Sequence, residues 1–439
     1  MRKNRIMLLI PVLVCLLSGC YLHPVRDLYC LPKRSESHQD LQGVIDQNMA
    51  DLEYCAPLTG ENRQPVQLAD LDGDGKEECL LFSKSTGELP LKILIFGLDD
   101  GNYVLQQMLE ANGTAFDRVE YVSMDTEPGL ELVVGCQLNN QLLGTVSVYT
   151  FVESELRQQI LTPYTEFLTC DLDADGLQEL LALRAGEKET DNGIAELFQI
   201  RNGAVEKSME EALSAPAGNL KRIISGKLHG GQPAVFVGSS VEENAIITDI
   251  YTLIAGEFTN ISLSAEAGTS VQTLRNYYVY AEDIDSDGEV ELPDLINMLP
   301  LNATQDAGQQ HLIRWYAMGS DGTQTNKRYT FHNYEGGWYL ELGETWASQI
   351  TVVQEGNAYG FYLWDDHRTA AEKIFTVYVL SGQDRETQAV ENNRFLLHKS
   401  GTVVYAARME VASGALEITQ TDLANSFRLI RQAWNTGEM

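Results

Sequence analysis

Three observations predict that this chain is an all-β protein, a β-propeller built from four-stranded blades. An acidic loop with aspartates at alternate positions recurs along the 439 residues. A short apolar run, typical of a buried strand, follows the loop, and a pair of strand-like runs joined by a tight turn recurs in phase with it. The repeat length is roughly fifty residues, and four-stranded sheets at such a period are typical of propeller blades.

The clearest acidic loops cover residues 70–78, 171–179 and 283–291 and are called loops 1, 3 and 5. Each reads Asp-x-Asp-x-Asp-Gly-x-x-Glu. Alternate side chains of a tight loop point to one side, so carboxylates at positions 1, 3, 5 and 9 form an oxygen cage for a hard cation. The glycine at position 6 permits the sharp turn, and the backbone carbonyl of position 7 would complete the cage. Calcium fits better than magnesium because the ligands are many and the loop is open.

The candidate metal ligands are four carboxylates and one backbone carbonyl in each loop. They are Asp70, Asp72, Asp74, Lys76 and Glu78 in loop 1; Asp171, Asp173, Asp175, Leu177 and Glu179 in loop 3; and Asp283, Asp285, Asp287, Glu289 and Glu291 in loop 5. A single such loop is as often a solvated acidic turn, but three copies in one phase are not a coincidence. An EF-hand is excluded because position 12, a bidentate glutamate in that motif, is Leu81, Ala182 or Asp294 here.

Two weaker copies lie between the clear ones, at residues 123–131 (loop 2) and 228–232 (loop 4). Loop 2 keeps acidic groups at positions 3, 5 and 9 only, which gives three weak metal candidates, Asp125, Glu127 and Glu131. Loop 4 has no carboxylate, although an apolar run at 234–238 still follows it. The repeat is therefore structural first and metal-binding second.

Each unit is expected to hold four strands: one before the loop, one after it, and a hairpin pair. Glycine lies in most of the hairpin turns, where positive φ is required. In the fifth unit, Pro293 is expected to interrupt the strand after loop 5, so the next regular strand is expected at 312–318 after an insertion. Five blades are evident, and up to seven are possible.

The loops and the strands after them resemble the FG-GAP repeat, also called the VCBS-type repeat, of integrin α-subunit propellers and bacterial surface proteins. The resemblance covers about residues 63–342. It implies a calcium-stabilised scaffold for contact with proteins or glycans and does not imply catalysis. Glutamate stands at position 9 where the family often has aspartate, so direct ligation there is less certain than ligation through the three aspartates.

The N-terminus has the pattern of a targeting segment. Arg2, Lys3 and Arg5 precede an apolar run at 6–17, which is too short to span a bilayer comfortably. The run ends in a Leu-Ser-Gly-Cys sequence that resembles a bacterial lipobox, in which Cys20 would become the lipidated N-terminus. We therefore predict a signal peptide over 1–20, a spacer with a short helix over 21–60, and a chain attached to the cell membrane or cell surface by lipid alone.

The C-terminal third differs in composition, because all five tryptophans lie in it. We predict propeller repeats over 61–345 and a C-terminal β-rich module over 346–439, with degenerate blades and a closing amphipathic helix that starts near Thr421. The tryptophans suit either core packing or a ligand face, and core packing is the more common use.

Charge and cysteine content limit the partners and the compartment. The formal net charge is −32, so contact with nucleic acid or with anionic lipid through the protein surface is not expected. Cys30 and Cys55 bracket the predicted short helix and could pair in an oxidising compartment, but sequence alone does not fix that pairing.

Two functions from different classes remain open. The first is a lipid-anchored, calcium-stabilised module that binds or senses a surface protein or a glycan. The second is a polysaccharide-acting propeller hydrolase or lyase, because propeller active sites draw residues from separate blades. The sequence contains no His-Glu-x-x-His, Gly-x-Ser-x-Gly or phosphate-loop motif, so no catalytic residue is predicted. A purely structural envelope protein is a third, weaker alternative.

Overall fold

The computed structural model describes residues 36–138, 143–188, 190–242, 245–301, 311–364, 367, 370–410 and 416–431. In this part of the chain 27 strands form six antiparallel sheets, numbered 1–6 in chain order. The prediction of an all-β propeller with four-stranded blades is confirmed, with six sheets where five to seven blades were expected. The predicted leader, Cys20, Cys30 and Trp434 lie outside the described residues.

Sheets 1–4 follow the predicted unit, since each consists of strands that are consecutive in sequence. Sheet 1 contains β1 (Glu53–Tyr54), β2 (Val66–Ala69), β3 (Glu78–Lys84), β4 (Leu91–Asp99) and β5 (Asn102–Ala111), with β1 and β2 both paired to β3. Sheet 2 contains β6 (Ala115–Val122), β7 (Glu131–Gln137), β8 (Gly144–Val152) and β9 (Glu155–Tyr164). Sheet 3 contains β10 (Glu166–Cys170), β11 (Glu179–Arg184), β12 (Ile194–Arg201) and β13 (Ala204–Ala212). Sheet 4 contains β14 (Leu220–Lys227), β15 (Pro233–Glu242), β16 (Ala245–Ile254) and β17 (Glu257–Asn260).

Sheets 5 and 6 depart from consecutive order. Sheet 5 contains β18 (Glu291–Asn297), β19 (His311–Met318), β20 (Gln324–Asn333) and β21 (Trp338–Leu342), and a later strand, β27 (Phe427–Leu429), joins its edge. Sheet 6 contains β22 (Ile350–Glu355), β23 (Ala358–Leu363), β24 (Glu372–Leu380), β25 (Phe395–Ser400) and β26 (Val403–Met409), in the order β22-β23-β24-β26-β25.

Among the described residues, four α-helices accompany the sheets: α1 (Glu36–Asn48), α2 (Glu344–Ala347), α3 (Arg385–Gln388) and α4 (Gln420–Ser426). Helix α1 lies within the predicted spacer and packs Leu41 and Ile45 against sheet 1. No helix among the described residues is long and apolar enough to cross a membrane.

The core consists of apolar layers between consecutive sheets. Successive side chains of a strand point to opposite faces, so a strand buried on both sides reads as a continuous apolar run. In β11, Leu180 and Ala182 face sheet 2, whereas Leu181 and Leu183 face sheet 4. The same arrangement joins sheet 1 to sheet 2, sheet 4 to sheet 5 and sheet 5 to sheet 6. Face-to-face packing of neighbouring sheets is the packing that propeller blades use.

The tryptophans of the C-terminal third include core residues. Trp315 and Trp338 are fully buried. The Trp338 ring stacks on Phe427 and meets Phe331 and Tyr359 at its other contacts. For these two tryptophans, core packing is the observed use.

The expectation that Pro293 interrupts a strand is wrong. Residues Glu291–Asn297 form β18, and Pro293 lies opposite Trp315 of β19. Strand β18 is the edge strand of sheet 5, where a missing backbone N–H costs no ladder hydrogen bond. Of the strand expected before loop 5, a single antiparallel bridge between Glu282 and Glu291 is present among the described residues.

The predicted closing helix is shorter than expected. Thr419 caps helix α4 through a capping box with Asp422, and the helix ends at Ser426. Residues Phe427–Leu429 then pair with β21 as a strand. Extended backbone lets Phe427 stack on Trp338 while its main chain satisfies the open edge of sheet 5, and this tertiary gain outweighs the helical spacing.

The connection from sheet 4 to sheet 5 is fixed by a buried carboxylate. Asp249 on β16 accepts hydrogen bonds from Ser214 Oγ at 2.6 Å, Ser270 Oγ at 2.6 Å and Asn260 Nδ2 at 2.8 Å. A buried charge is tolerated when hydrogen bonds surround it. This network holds the segment that leads into loop 5.

Candidate functional site

The acidic loops occupy equivalent corners of their sheets. If the short extra strand β1 of sheet 1 is left aside, loops 1, 2 and 3 each join the first strand of a sheet to the second: β2 to β3, β6 to β7, and β10 to β11. Loop 5 precedes β18 directly. The hairpin turn between the third and fourth strands lies at the same end of a sheet, because alternate connections of an antiparallel sheet share an end.

The structure brings three of the predicted carboxylates together in each clear loop. One oxygen from each of positions 1, 3 and 9 lies within 4.8 Å of the others, and the three clusters are Asp70, Asp72 and Glu78; Asp171, Asp173 and Glu179; and Asp283, Asp285 and Glu291. The sequence indicated that the three aspartates were the more secure ligands. In the structure, the glutamate of position 9 and not the aspartate of position 5 completes the cluster.

The aspartate of position 1 organises the backbone of each loop. Asp70 accepts the N–H of Gly73 at 2.8 Å on one oxygen and the N–H of Gly75 at 3.0 Å on the other. Asp171 and Asp283 receive pairs of backbone N–H groups in the same way, at 2.9–3.1 Å. These bonds impose the tight loop that turns positions 1 and 3 toward one point.

The glutamate of position 9 accepts a hydrogen bond from the start of the loop. Its Oε2 accepts the backbone N–H of position 2, at 2.9 Å for Glu78, 2.7 Å for Glu179 and 3.0 Å for Glu291. Glu131 of loop 2 makes the same bond at 2.7 Å, although no three-carboxylate cluster is found there among the described residues. The glutamate therefore serves the loop with or without a cluster, and its second oxygen is the one available to a cation.

Loop 5 has the carboxylate oxygens that fit a cation best. Glu291 is fully buried, and neither its Oε1 nor the buried Oδ1 of Asp285 has a hydrogen-bond partner among the described residues. Buried carboxylate oxygens without a partner cost several kcal/mol, on the order of the penalty for an unpaired buried charge. A cation bound between the two oxygens would remove that cost, so the residues present fit a cation.

Burial also raises the pKa values of the position-9 glutamates. Burial, with added repulsion from the loop aspartates, raises the pKa of Glu179 and of Glu291 to about 7, even though a backbone N–H bond opposes it. The pKa of Glu78 is raised for the same reasons. A site that resists negative charge in this way favours a bound cation, because the cation supplies the compensating charge.

Positions 5 and 7 form the outer rim of each loop. The carboxylates of Asp74, Asp175 and Asp287 accept the backbone N–H of Lys76, Leu177 and Glu289, each at 2.8 Å. Asp74 also forms an exposed ion pair with the Lys76 ammonium at 2.8 Å. The position-5 aspartates thus stand beside the clusters and not within them.

Two basic residues from sheet 5 reach loop 5. Lys327 pairs with Asp287 at 2.9 Å and with Glu289 at 2.7 Å, and Arg328 pairs with Asp285 at 3.2 Å. These contacts could not be predicted from the sequence, because β20 lies about forty positions after the loop and the strand period alone does not place it over the loop. Loop 5 therefore has partial charge compensation that loop 3 lacks among the described ion pairs.

The weak loops have structural contacts. Asp125 Oδ1 accepts the backbone N–H of Glu127 at 2.8 Å, which makes loop 2 a hydrogen-bonded acidic turn. In loop 4, the backbone N–H of Gly230 and the His229 ring each contact the Glu289 carboxylate at 3.1 Å.

Neighbouring loops touch one another. Gly73 of loop 1 packs so closely on Pro128 of loop 2 that an added Cβ would lie 2.4 Å from its backbone. Gln178 of loop 3 donates its backbone N–H to Ser123 O at 2.8 Å. A cation that rigidifies one loop therefore also stabilises the junction between two sheets.

The fold and its corners define a β-propeller with acidic clusters able to hold a metal ion. No family model matches the chain, and no curated protein matches it. A solved structure of a protein from Lactobacillus plantarum is 11% identical, with a TM-score of 0.27, over 73% of this chain and 86% of that one. The exotype rhamnogalacturonan lyase YesX is 11% identical, with a TM-score of 0.26, over 82% of this chain and 76% of that one. Likenesses this weak carry no argument about function.

Proposed function

We propose that this protein is a calcium-stabilised β-propeller that binds or senses a surface protein or a glycan while anchored outside the cytoplasm by lipid on Cys20. The main support for the calcium-stabilised scaffold is a pair of buried oxygens, on Asp285 and Glu291, that have no hydrogen-bond partner among the described residues. They belong to a carboxylate cluster that recurs in loops 1 and 3. All the donors are oxygens, which is the ligand type that calcium prefers.

Metal ions bound in these loops would give the protein a rigid surface for ligand binding. Each cluster lies at the end of a sheet where the loops and the hairpin turns of neighbouring sheets meet. Binding residues are commonly carried on loops that a rigid scaffold positions. Extracellular calcium sites bind at about 0.1–1 mM, so the corners would be filled outside the cell and unfilled in a calcium-poor cytoplasm.

The binding function is tested with the purified protein on a panel of glycans and isolated envelope proteins, with calcium and with chelator. We expect calcium-dependent retention of at least one ligand and no shortening of the glycan. Cleavage of a polysaccharide would instead support the hydrolase or lyase alternative. Absence of any retention, together with an unchanged melting temperature in calcium, would refute the proposal.

The anchor is tested separately in the producing cell. Cys20→Ser should move the protein from the membrane fraction to the soluble fraction and abolish incorporation of labelled fatty acid. Continued membrane association of this variant would contradict lipid anchoring at Cys20.

A further inference from the structure

A cleft of about 570 Å³ lies between sheets 3 and 4, next to loop 3. It is bordered by loop 3, loop 4, and the turns of the β12–β13 and β16–β17 hairpins. Small-ligand sites typically enclose about 300–1,000 Å³, so the cleft has the size of a ligand site.

The cleft is open because two consecutive residues of loop 4 are glycines, Gly230 and Gly231. Gly230 and Gly231 both border it, at φ +97° and +89°, and a Cβ added to either would meet nothing within 4 Å. An acidic loop like loop 3 at this place would project carboxylates into the space. The degeneration of loop 4 therefore leaves an open space beside an intact cluster. The N–H groups of Gly230 and Gly231 already donate to Glu289 and to Leu228 O, so the carbonyl oxygens of these glycines are the backbone groups offered at its edge.

Arg201 brings a positive charge to this cleft. It occupies the last pair of the β12–β13 hairpin, where the equivalent hairpins have Asp99, Val152 and Ile254. Arg201 is exposed and forms no ion pair among the described residues, in a chain of net charge −32. An unpaired guanidinium in so acidic a chain is available to an anionic ligand.

Hydrogen bonds through Gln199 connect the Arg201 guanidinium to the carboxylate cluster of loop 3. Its Nη2 donates to Gln199 Oε1 at 3.1 Å, and Gln199 Nε2 donates to Glu179 Oε1 at 3.4 Å. A side chain positioned by such a contact loses less freedom when a ligand binds. Gln199 therefore acts as a positioning residue between loop 3 and Arg201.

The rest of the lining contains both polar and apolar residues. Gln232 is half-buried and donates its Nε2 to Leu253 O, which leaves its side-chain carbonyl as an acceptor. Leu172 and Met209 supply apolar surface, and Asp173 of loop 3 lies at the border. An acceptor, a guanidinium and an exposed glycine backbone form a set that can bind the hydroxyls and the carboxylate of a sugar.

We propose that the cleft binds an acidic saccharide, with the sugar carboxylate on Arg201 and its hydroxyls on Gln232 and the backbone of loop 4. The inference rests on the proposed binding function and assigns its ligand class and place. A guanidinium pairs with a carboxylate in a bidentate geometry that a neutral sugar cannot use. An acidic protein partner fits less well, because the lining has no aromatic anchor and a protein interface needs about 800 Å² on each side.

Binding should require a cation in loop 3. The Asp173 carboxylate borders the cleft and would repel the carboxylate of the ligand. A divalent cation in the cluster of Asp171, Asp173 and Glu179 would neutralise two of its three negative charges, which weakens this repulsion. The saccharide therefore gains affinity when the cluster is loaded, and calcium gains affinity when the saccharide is present, since the coupling is reciprocal.

The test is calorimetric titration of the full chain with cellobiouronic acid and with cellobiose, a pair that differs in one carboxylate. In calcium, we expect the acid to bind at least ten-fold more tightly than the neutral sugar. Arg201→Ala should remove that preference, Arg201→Lys should retain part of it, and Arg157→Ala, an exposed arginine in the hairpin of sheet 2, should leave it unchanged. Chelator should abolish binding of the acid.

The outcomes separate this inference from the proposed function. Equal affinity for the two sugars, or an Arg201→Ala variant that binds the acid as well as the parent protein does, overturns the inference. Calcium-dependent stabilisation and retention of another glycan would in that case leave the proposed function standing. Inorganic phosphate that competes as strongly as the acid would show that the cleft binds any small anion, and would overturn the assignment to a saccharide.

Discussion

Asp173→Asn should reduce the stabilisation by calcium while leaving the calcium-free protein as stable as before, or more stable. The substitution preserves the shape of the side chain and the acceptor that receives the Asp175 N–H at 3.1 Å. It removes one negative charge from a cluster whose ligand atoms lie within 4.8 Å of one another. Repulsion among the carboxylates falls, and so does attraction for a cation.

The magnitude follows from linkage. A site with a dissociation constant of about 0.5 mM, in the range of extracellular modules, stabilises the folded chain by about 1.4 kcal/mol at about 5 mM calcium. Unfolding entropy of about 2.1 cal/mol/K per residue makes this about 2 °C in melting temperature for roughly 400 folded residues. Three sites together give about 5 °C, of which Asp173→Asn should remove about 2 °C.

The assay is differential scanning calorimetry at several calcium concentrations, with Asp125→Asn as the matched control. Asp125 has the same position in loop 2, where the described residues form no three-carboxylate cluster. Its substitution should change the melting temperature equally with and without calcium. An equal loss of the calcium increment in both variants, or no loss in Asp173→Asn, would refute the assignment of the site to loop 3.

Three further predictions concern other residues. Lys327→Met removes the ammonium group that pairs with Asp287 and Glu289 of loop 5. The affinity of that loop for calcium should therefore rise several-fold, while the stability of the calcium-free protein falls. Unchanged calorimetric titrations with calcium would argue against the pairing. Gly73→Ala should destabilise the fold by more than Gly75→Ala does, because only a Cβ at position 73 meets a neighbouring backbone. Gly75→Ala should cost about 1 kcal/mol for its positive φ alone. Equal denaturation midpoints of the two variants would contradict the contact between loops 1 and 2. Burial lowers the pKa of His332 to about 3, whereas an unfolded histidine has a pKa of about 6.5. The free energy of unfolding should therefore decrease as the pH falls below about 6.5, by about 2 kcal/mol at pH 5. His332→Gln should reduce this pH dependence in urea titrations, and an unchanged dependence would assign it to other groups.

Local patterns predicted the corners of this fold well. The alternation of aspartates, the glycine at position 6 and the apolar run after position 9 are properties of adjacent residues, and loops 1, 3 and 5 form as expected. The hairpin turn at 400–401 between β25 and β26 is likewise a property of adjacent residues.

Features that depend on distant partners were not predicted. Pro293 was taken as a strand breaker because the sequence does not show that β18 is an edge strand. The closing helix was expected to continue through Phe427, because its partner Trp338 lies 89 positions earlier and the open edge of sheet 5 is not a local property.

The composition of the site was only partly predictable. Periodicity groups positions 1, 3 and 5, but the bond from position 9 to the N–H of position 2 turns the glutamate into the cluster, and that bond depends on the burial of the strand. Arg201 carried no motif. Its position could have indicated a role, because a basic residue stands there where the hairpins of other repeats have acidic or apolar residues.

The central claim, that cations clamp the corners of sheets 1, 3 and 5, is tested most directly by the stoichiometry of calcium binding. Equilibrium dialysis with radioactive calcium should give three sites per chain for the parent protein. It should give none at millimolar calcium for the triple variant Asp72→Asn, Asp173→Asn and Asp285→Asn, provided that the variant is folded by circular dichroism. A parent protein that binds no calcium, or a folded triple variant that still binds three ions, would contradict the account.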